Sequence, residues 1–385
     1  MTDTATTIDV VVIGGGQAAL ALGFYLRRTG LEYVILDEQE AAGGSWQRAW
    51  TSLRAFSPAQ WSSLPGWLMP RITTPEKSEY PSRDEVISYL REYERRYSLN
   101  VLRGKRVTHV TRESKTLLRV TAQTGDEWLT RAVISATGGK PFIPEIEGSD
   151  TFAGTQIHSL DYTDPARFKN KHVIVVGGGN SAAQIVAELT DPGSGVASVT
   201  WATLEPPHFL PDDIDGRYLF EQATAIYNAR KEGRTPEPPR SLGDIVMVAP
   251  VRAARDRGAL KRVPMFRSMT STGVVWADGS KSDADAIIWA TGYKPALAHL
   301  ESLGIVTSGN RIDVMGAAGT RSTLEPRVWV VGYGNWTGYA SATLIGVGRS
   351  ARATVQEVAA ALGESDDVTA STLTESRADR EPDEQ

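Results

Sequence analysis

The chain has 385 residues, 41% of them hydrophobic and 23% charged, with a net charge of −5 and no cysteine. Such a length suits two compact domains, and the missing thiols exclude disulfide frameworks, thiolate metal sites and CxxC redox chemistry. Eight acids stand against Arg377 and Arg380 in the stretch from Glu364 to Gln385, so the remainder is near +1 and lacks the concentrated basic surface that nucleic acid or an anionic membrane requires.

The opening residues MTDTATTIDV lack the basic and apolar segments of a signal peptide. No apolar run reaches the roughly 18 residues that span a bilayer, so a cytoplasmic protein is expected. Ile8 to Ile13 is a continuous apolar run, which predicts a strand buried on both faces of a parallel sheet. Helical spacing follows from Ala18 to Arg28, then a second buried strand from Tyr33 to Leu36. Between the first strand and the helix, Gly14-x-Gly16-x-x-Ala19 fits a dinucleotide fingerprint: a tight turn, close backbone approach to a pyrophosphate, and close helix packing. The helix N-terminus adds unpaired N–H groups and a positive dipole. Asp37 stands where an acid accepts hydrogen bonds from ribose hydroxyls.

Trp46, Trp50, Trp61 and Trp67 cluster with Phe56, either as an aromatic wall against a flat cofactor or as ordinary buried aromatics. From Val101 to Val133 the alternation of residues and the turn TGDE predict an antiparallel meander, which ends in VISATGG. The opening pattern then repeats. A strand at 172–176 leads into Gly177-x-Gly179-x-x-Ala182, a helix over Ser181 to Leu189, and a strand around Val196 to Trp201. This second unit closes in WATGY at 289–293, so each glycine-rich turn has its own strand-ATG partner. At the end of its second strand stand Thr203, Leu204 and Glu205; an acid there suits NADH, although Arg217 from the following segment could reach a 2′-phosphate instead. Residues 205–266 are rich in proline and too long for an ordinary loop of about 4 to 6 residues, which predicts an insertion with helices of its own over a substrate pocket. VWVVGYG at 328–334 and a helical stretch from Ser341 to Leu362 predict a last strand and helix that return to the first sheet. The acidic residues 363–385 are expected to form a flexible tail. The five histidines show no metal-ligand spacing, DDIDG at 212–216 reads as a polar turn, and no GxSxG occurs.

Phe152-x-Gly154-x-x-x-His158-x-x-x-Tyr162, WATGY and the GGSW at 43–46 together resemble the signatures of the flavin-containing monooxygenases, over residues 8–362. Within them, LRAFSPAQWSSLPGW, YPSRDEVISYL, FLPDDIDGR and GNWTGYASATLIGVGRSA resemble the arsenic-operon (ArsO-type) enzymes of bacteria. The resemblance implies an α/β fold of two Rossmann-like dinucleotide-binding domains: a glutathione-reductase-like FAD domain with a β meander at 1–150 and 296–362, and an NAD(P)-binding domain at 151–295. It implies FAD held by Gly14, Gly16, Gln17, Ala18, Asp37, Glu38, Gly44, Ser45, Trp46, Arg54, Val107, Ala136, Thr137, Gly138, Asn335 and Thr337, with Gln47 and Arg48 close by. It implies NADPH or NADH held by Gly177, Gly179, Asn180, Ser181, Ala182, Thr203, Glu205, Ala290, Thr291 and Gly292. Trp46, Phe56, Ser57 and Asn335 are the candidates nearest the chemistry, and the helix after Thr337 could offer N–H groups to negative charge on the flavin. His158 and Tyr162 read as structural links between the two folds.

The implied reaction is transfer of hydride to the flavin, formation of a C4a-(hydro)peroxide with O2, and passage of one oxygen to a soft nucleophilic or carbonyl small molecule, a trivalent arsenical among them. Three positions depart from the family: Leu204 in place of an arginine, Asn335 in place of an aspartate, and no asparagine around Phe56 and Ser57. The last leaves open a reductase or oxidase that passes electrons to another acceptor or makes hydrogen peroxide. Without thiolates, an arsenical would bind as a neutral oxyacid or thiol adduct. A non-enzymatic redox sensor is the third alternative, and a second copy of the chain is admitted as a partner.

Overall fold

The computed structural model describes residues 6–71, 80–212, 214, 216–235, 244–338 and 340–363. β1 (Thr6–Ile13) carries Val10, Val11, Val12 and Ile13, all buried, as a strand covered on both faces requires. α1 (Gln17–Leu26) leads to β2 (Tyr33–Leu36), which pairs parallel with β1. α2 (Arg83–Arg96) is followed by β3 (Val101–Leu102), parallel to β2. β4 (Val107–Arg112), β5 (Leu118–Ala122) and β6 (Glu127–Ser135) make an antiparallel meander. The expectation of a meander from Val101 is corrected at its start: Val101 and Leu102 dock beside Ile35 and Leu36 as a parallel edge, and the meander begins at Val107.

The chain leaves the first sheet through β7 (Gly139–Pro141). The second sheet comprises β8 (Thr155–His158), β9 (His172–Val176), α3 (Asn180–Leu189), β10 (Ser198–Thr203), and, after α4 (Gly216–Lys231) and α5 (Ala249–Asp256), β11 (Arg262–Pro264). A small antiparallel sheet of β12 (Ser268–Met269), β13 (Gly273–Val275) and β14 (Lys281–Asp283) precedes β15 (Ala286–Trp289). The second sheet has the order β11-β10-β9-β15-β8 and is parallel throughout. The return runs through β16 (Tyr293–Pro295), which pairs antiparallel with β7, so the outgoing and incoming strands lie side by side. β17 (Val314–Met315), β18 (Arg321–Ser322) and β19 (Val328–Val330) complete the first sheet, with order β17-β18-β19-β6-β1-β2-β3. One edge of β6 is thereby shared: its first half takes β5 and its last three residues take β19. α6 (Val347–Leu362) packs on α1.

The first and second sheets are each covered on both faces, and the two cores of the first contain α1, α2 and α6 on one side and the meander with residues 297–305 on the other. The helix predicted from Ser341 begins six residues later, at Val347. Ala340 sits at φ +59°, Ser341 Oγ donates to Gly334 O at 2.8 Å, and Thr343 Oγ1 donates to Ala340 O at 2.7 Å. These local bonds compete with helix formation and hold the segment as a turn. The insertion does contain helices, α4 and α5. Of the DDIDG stretch, Asp213 and Asp215 lie outside the described residues, as does the acidic tail from Glu364 onward. No helix among the described residues is long and apolar enough to cross a membrane.

α2 is a helix not read from the sequence, although Ser82-x-x-Glu85 announces it. Ser82 Oγ accepts from Glu85 N at 3.3 Å, and Glu85 Oε2 accepts from Ser82 N at 2.8 Å, a reciprocal cap that satisfies two orphan donors. Ser82→Ala is therefore expected to lower unfolding stability by about 1 kcal/mol, read as a reduced denaturation midpoint with an unchanged slope. Unaltered stability would show that the cap is redundant.

Candidate functional site

Each glycine-rich turn is fixed by the ATG segment beside it. Gly14 has φ +104°, and a Cβ there would lie 2.6 Å from the carbonyl oxygen of Ala136. Gly177 has φ +140°, and a Cβ there would collide with the carbonyl oxygen of Ala290. The backbone that follows β6 and β15 therefore passes directly over the first glycine of each turn, leaving the helix N-terminus beyond it to face a ligand with its N–H groups. Gly16 and Gly179 cap α1 and α3 without side-chain bonds, so those helix N-termini remain open to an anion.

Around the first turn the structure gathers several of the predicted residues. A Cβ at Gly44 would lie 2.8 Å from the Cα of Gly16, which places the Gly44–Arg48 turn against the fingerprint. Trp46 Nε1 donates to Gln17 Oε1 at 3.3 Å, and Gln17 Nε2 donates to Ala342 O at 2.7 Å. Asp37, buried, is ion-paired with Arg103, which also pairs with Glu94. The carboxylate of Asp37 lies against Gly15, so the middle residue of the triplet is also glycine for a steric reason. Burial pushes the Asp37 carboxyl above its ordinary value, and Arg103 opposes that shift. Glu38 pairs with Arg106 at 3.6 Å, and both line an open cleft of about 590 Å³ beside Gly104. Val107 starts β4 next to this cleft. Arg54 is turned elsewhere, with Nη1 donating to Tyr80 O at 3.0 Å, and Gln47 donates to Ala41 O and Ala42 O. Asn335 is exposed at the head of the Asn335–Thr337 turn, whereas Thr337 is buried within it.

Thr137, Tyr333 and His299 form a buried chain whose polarity can be deduced. Thr137 Oγ1 donates to Ala296 O at 2.6 Å, so its contact with Tyr333 OH at 2.7 Å must have the phenol as donor. With that proton spent, Tyr333 oxygen accepts from Thr137 N at 3.2 Å and from Ser135 Oγ at 2.6 Å. Ser135 Oγ then accepts from His299 Nε2 at 3.0 Å, which fixes the protonated ring nitrogen. This chain joins the end of β6, the segment after β16, and the loop after β19. Neither Tyr333 nor His299 was singled out as a site residue in the sequence. Tyr333 lies inside the VWVVGYG phrase, but nothing in the spacing reveals its partners.

At the second turn, Asn180 spends its amide on the insertion: Nδ2 donates to Asp244 O at 2.9 Å and Oδ1 accepts from Val246 N at 2.8 Å. Ser181 and Ala182 follow on α3, with Ala182 buried. Thr203 Oγ1 is buried without a hydrogen-bond partner, whereas Leu204 is 86% exposed and Glu205 is exposed. Thr291 Oγ1 donates to Phe142 O, and Gly292 O accepts from His158 Nε2 at 3.0 Å. His158 Nδ1 accepts from Leu160 N at 3.1 Å, so the ring is neutral with its proton on Nε2, and burial lowers its pKa. Tyr162 OH donates to Glu188 Oε2 at 2.8 Å, with its ring between Trp50 and Phe168. His158 and Tyr162 thus tie the linker to the second unit through satisfied bonds, and neither is left poised for proton transfer.

The four tryptophans do not form one wall. Trp50 is buried in the core of the second sheet, while Trp46 and Trp67 pack on the core of the first, Trp67 against Tyr89 at 5.1 Å. Large rings close to a boundary between two cores are drawn into whichever apolar surface each one meets. Phe56 stacks on Phe220 of α4 with centroids 6.2 Å apart, Gly216 N donates to Phe56 O at 3.0 Å, and Ser57 Oγ lies 2.9 Å from Ser62 Oγ. The insertion therefore docks on Phe56 and Ser57. Arg48 reaches Asp161 at 3.2 Å as an exposed ion pair between the Gly44–Arg48 turn and the linker ahead of the second unit.

A family model described as pyridine nucleotide-disulphide oxidoreductase matches residues 11–207. The flavin-containing monooxygenase of Stenotrophomonas maltophilia is 48% identical, with 93% of this chain and 99% of that one covered and a TM-score of 0.82. An uncharacterized CzcO-like oxidoreductase of Geobacillus kaustophilus is 29% identical over 290 residues, 74% of this chain and 80% of its own. The probable indole-3-pyruvate monooxygenase YUCCA3 of Arabidopsis thaliana is 27% identical over 334 residues, 74% of this chain and 72% of its own. The chain itself can form no disulphide like that in the family description, because it contains no cysteine.

Burial lowers the His299 pKa from 6.5 to about 4. The unfolded chain then binds the proton that the folded chain refuses, so the associated stability is present above pH 6.5 and is lost as pH falls towards 4. The expected loss approaches 3 kcal/mol at about 1.4 kcal/mol per pKa unit. Thermal midpoints measured across this window should fall less steeply in His299→Gln, which keeps an N–H donor and cannot titrate. Equal slopes would remove His299 from the account.

Proposed function

Because this chain belongs to the flavin-containing monooxygenases, within the wider pyridine nucleotide-disulphide oxidoreductase family, we propose that it uses NAD(P)H and O2 to place one oxygen atom on a soft nucleophilic or carbonyl small molecule. It is an oxidoreductase that works with FAD and a nicotinamide nucleotide. The observation that carries the reading is the doubled cradle: two strand-glycine turns, each pressed against the carbonyl of an ATG alanine, with open helix N-termini beyond them. A Cβ at Gly14 or Gly177 would collide with that carbonyl, whereas one at Gly16 would meet only the Cα of Gly44 at 3.9 Å, so the open side of the first turn lies where a pyrophosphate would approach.

In this reading, residues 1–150 and 296–362 hold FAD, and residues 151–295 hold the nucleotide. The flavin, when bound, stores the hydride and delivers its electrons to O2. What the chain contributes is position and dryness. Gly14, whose N–H donates to Leu36 O, would shape the turn, and Gly16 with the start of α1 would take the FAD pyrophosphate with backbone N–H groups, Asp37 the ribose, and Gly44 to Trp46 the ring system, with Gln17 fixing the Trp46 indole. Gly177, Gly179 and Ser181 would take the nucleotide pyrophosphate. Phe56, backed by Phe220, supplies apolar cover that keeps water from the reacting atoms. A thioether or a ketone fits such a site, and trivalent arsenic fits it as the neutral oxyacid or a thiol adduct.

Coupling separates this reading from a peroxide-making oxidase. A monooxygenase releases product in near-equal amount to nucleotide consumed with one of a thioether, a cyclic ketone or arsenite. Stoichiometric hydrogen peroxide with all three would establish the oxidase. For the nucleotide, exposed Leu204 and Glu205 provide no clamp for a 2′-phosphate at the end of β10. NADH should therefore reduce the enzyme at least as well as NADPH. Leu204→Arg should raise kcat/KM for NADPH roughly tenfold through a charge-assisted bond worth about 1.5 kcal/mol, and an unchanged ratio would show that the phosphate lies elsewhere.

A further inference from the structure

The ion pair between Arg103 and Asp37 gives the buried acid of the first turn a fixed counter-charge. Asp37 is 3% exposed, and its carboxylate is divided between two duties. Oδ2 is taken by Arg103 Nη1. Oδ1 receives the Gln39 N–H at a long 3.4 Å, which leaves it room to accept a further hydrogen bond. The guanidinium is held from three sides. Nη2 donates to Glu94 Oε2 on α2, Nη1 also reaches Ala41 O at 3.4 Å, and the side chain is only 18% exposed. Nearby, Glu38 pairs with Arg106 and Lys105 with Asp126 at 2.6 Å, while exposed Glu40 lies over Gly104. The groups that face Asp37 are thus Arg103 from the residue after β3, Glu94 from α2, and the N–H groups of Gly15 and Gln39.

We propose that Arg103 is a positioning residue for FAD: by neutralising one oxygen of buried Asp37 and pinning it to α2, it keeps the carboxylate ionised and presents the other oxygen to the adenosine ribose. This rests on the flavin reading above. Without Arg103, burial and the nearby Glu94 carboxylate both favour the protonated acid, and loss of the opposite charge moves the carboxyl pKa further up. A carboxyl that holds its own proton is the poorer acceptor for a ribose hydroxyl. The consequence is a pH dependence of FAD binding that the wild type does not show.

The test is the dissociation constant of FAD, read by quenching of flavin fluorescence on titration of apoprotein at several pH values between 6 and 9. The expected result is a flat profile for wild type, a flat profile for Arg103→Lys, and for Arg103→Gln a loss of affinity that grows by about tenfold as pH falls, with recovery at the alkaline end. Asp37→Asn, which cannot titrate, should bind more weakly but without slope, with or without Arg103→Gln. An Arg103→Gln profile parallel to wild type, whether equal or uniformly weaker, overturns the inference while leaving the flavin reading intact. Wild-type protein that takes up no FAD at any pH overturns both.

Discussion

Both sheets depend on the contact between the first glycine of each fingerprint and the carbonyl of the alanine that follows β6 or β15. At Gly14 and Gly177 there is no space for a side chain, and the backbone adopts a conformation that other residues rarely tolerate. This single contact sets where the strand stops, where the helix starts, and which way the helix N-terminus points. The pairing of glycine-rich turns with ATG segments, visible as a repeated phrase, is therefore a steric match between two backbones, made independently in each sheet.

The elements legible in the sequence were those whose determinants are local. The apolar run at Val10 to Ile13, the fingerprint spacing and the alternation through Leu118 to Thr130 each specify an element with short-range information. Val101 and Leu102 were misplaced because two residues carry no period, and only the neighbouring strand decides their partner. The start of α6 was misplaced because Ser341 and Thr343 are tolerable in a helix, and it is their bonds to Gly334 and Ala340 that exclude them from one. Arg103 and Tyr333 were invisible for another reason. Their importance lies in partners 66 and 198 positions away, Asp37 and Ser135, which composition and spacing cannot supply.

The chain of hydroxyls from His299 to Ala296 also shows how one carbonyl can orient many protons. Because that carbonyl can only accept, every donor before it is fixed in turn: Thr137, Tyr333, Ser135 and finally the imidazole. The three segments that meet there come from widely separated parts of the sequence. Their junction is thus held by a set of bonds with one self-consistent arrangement, which gives a buried polar network uniqueness as well as stability.

The side-by-side passage of β7 and β16 has a consequence for how this architecture changes over time. Everything between Pro141 and Tyr293 begins and ends at one place, so it behaves topologically as a single closed excursion from the first sheet. Material can be added inside that excursion, as it has been after β10, without altering the separation of its ends, because lengthening a closed loop costs little entropy. The second unit is consequently a cassette: its size and surface can drift while the first sheet keeps every one of its registers.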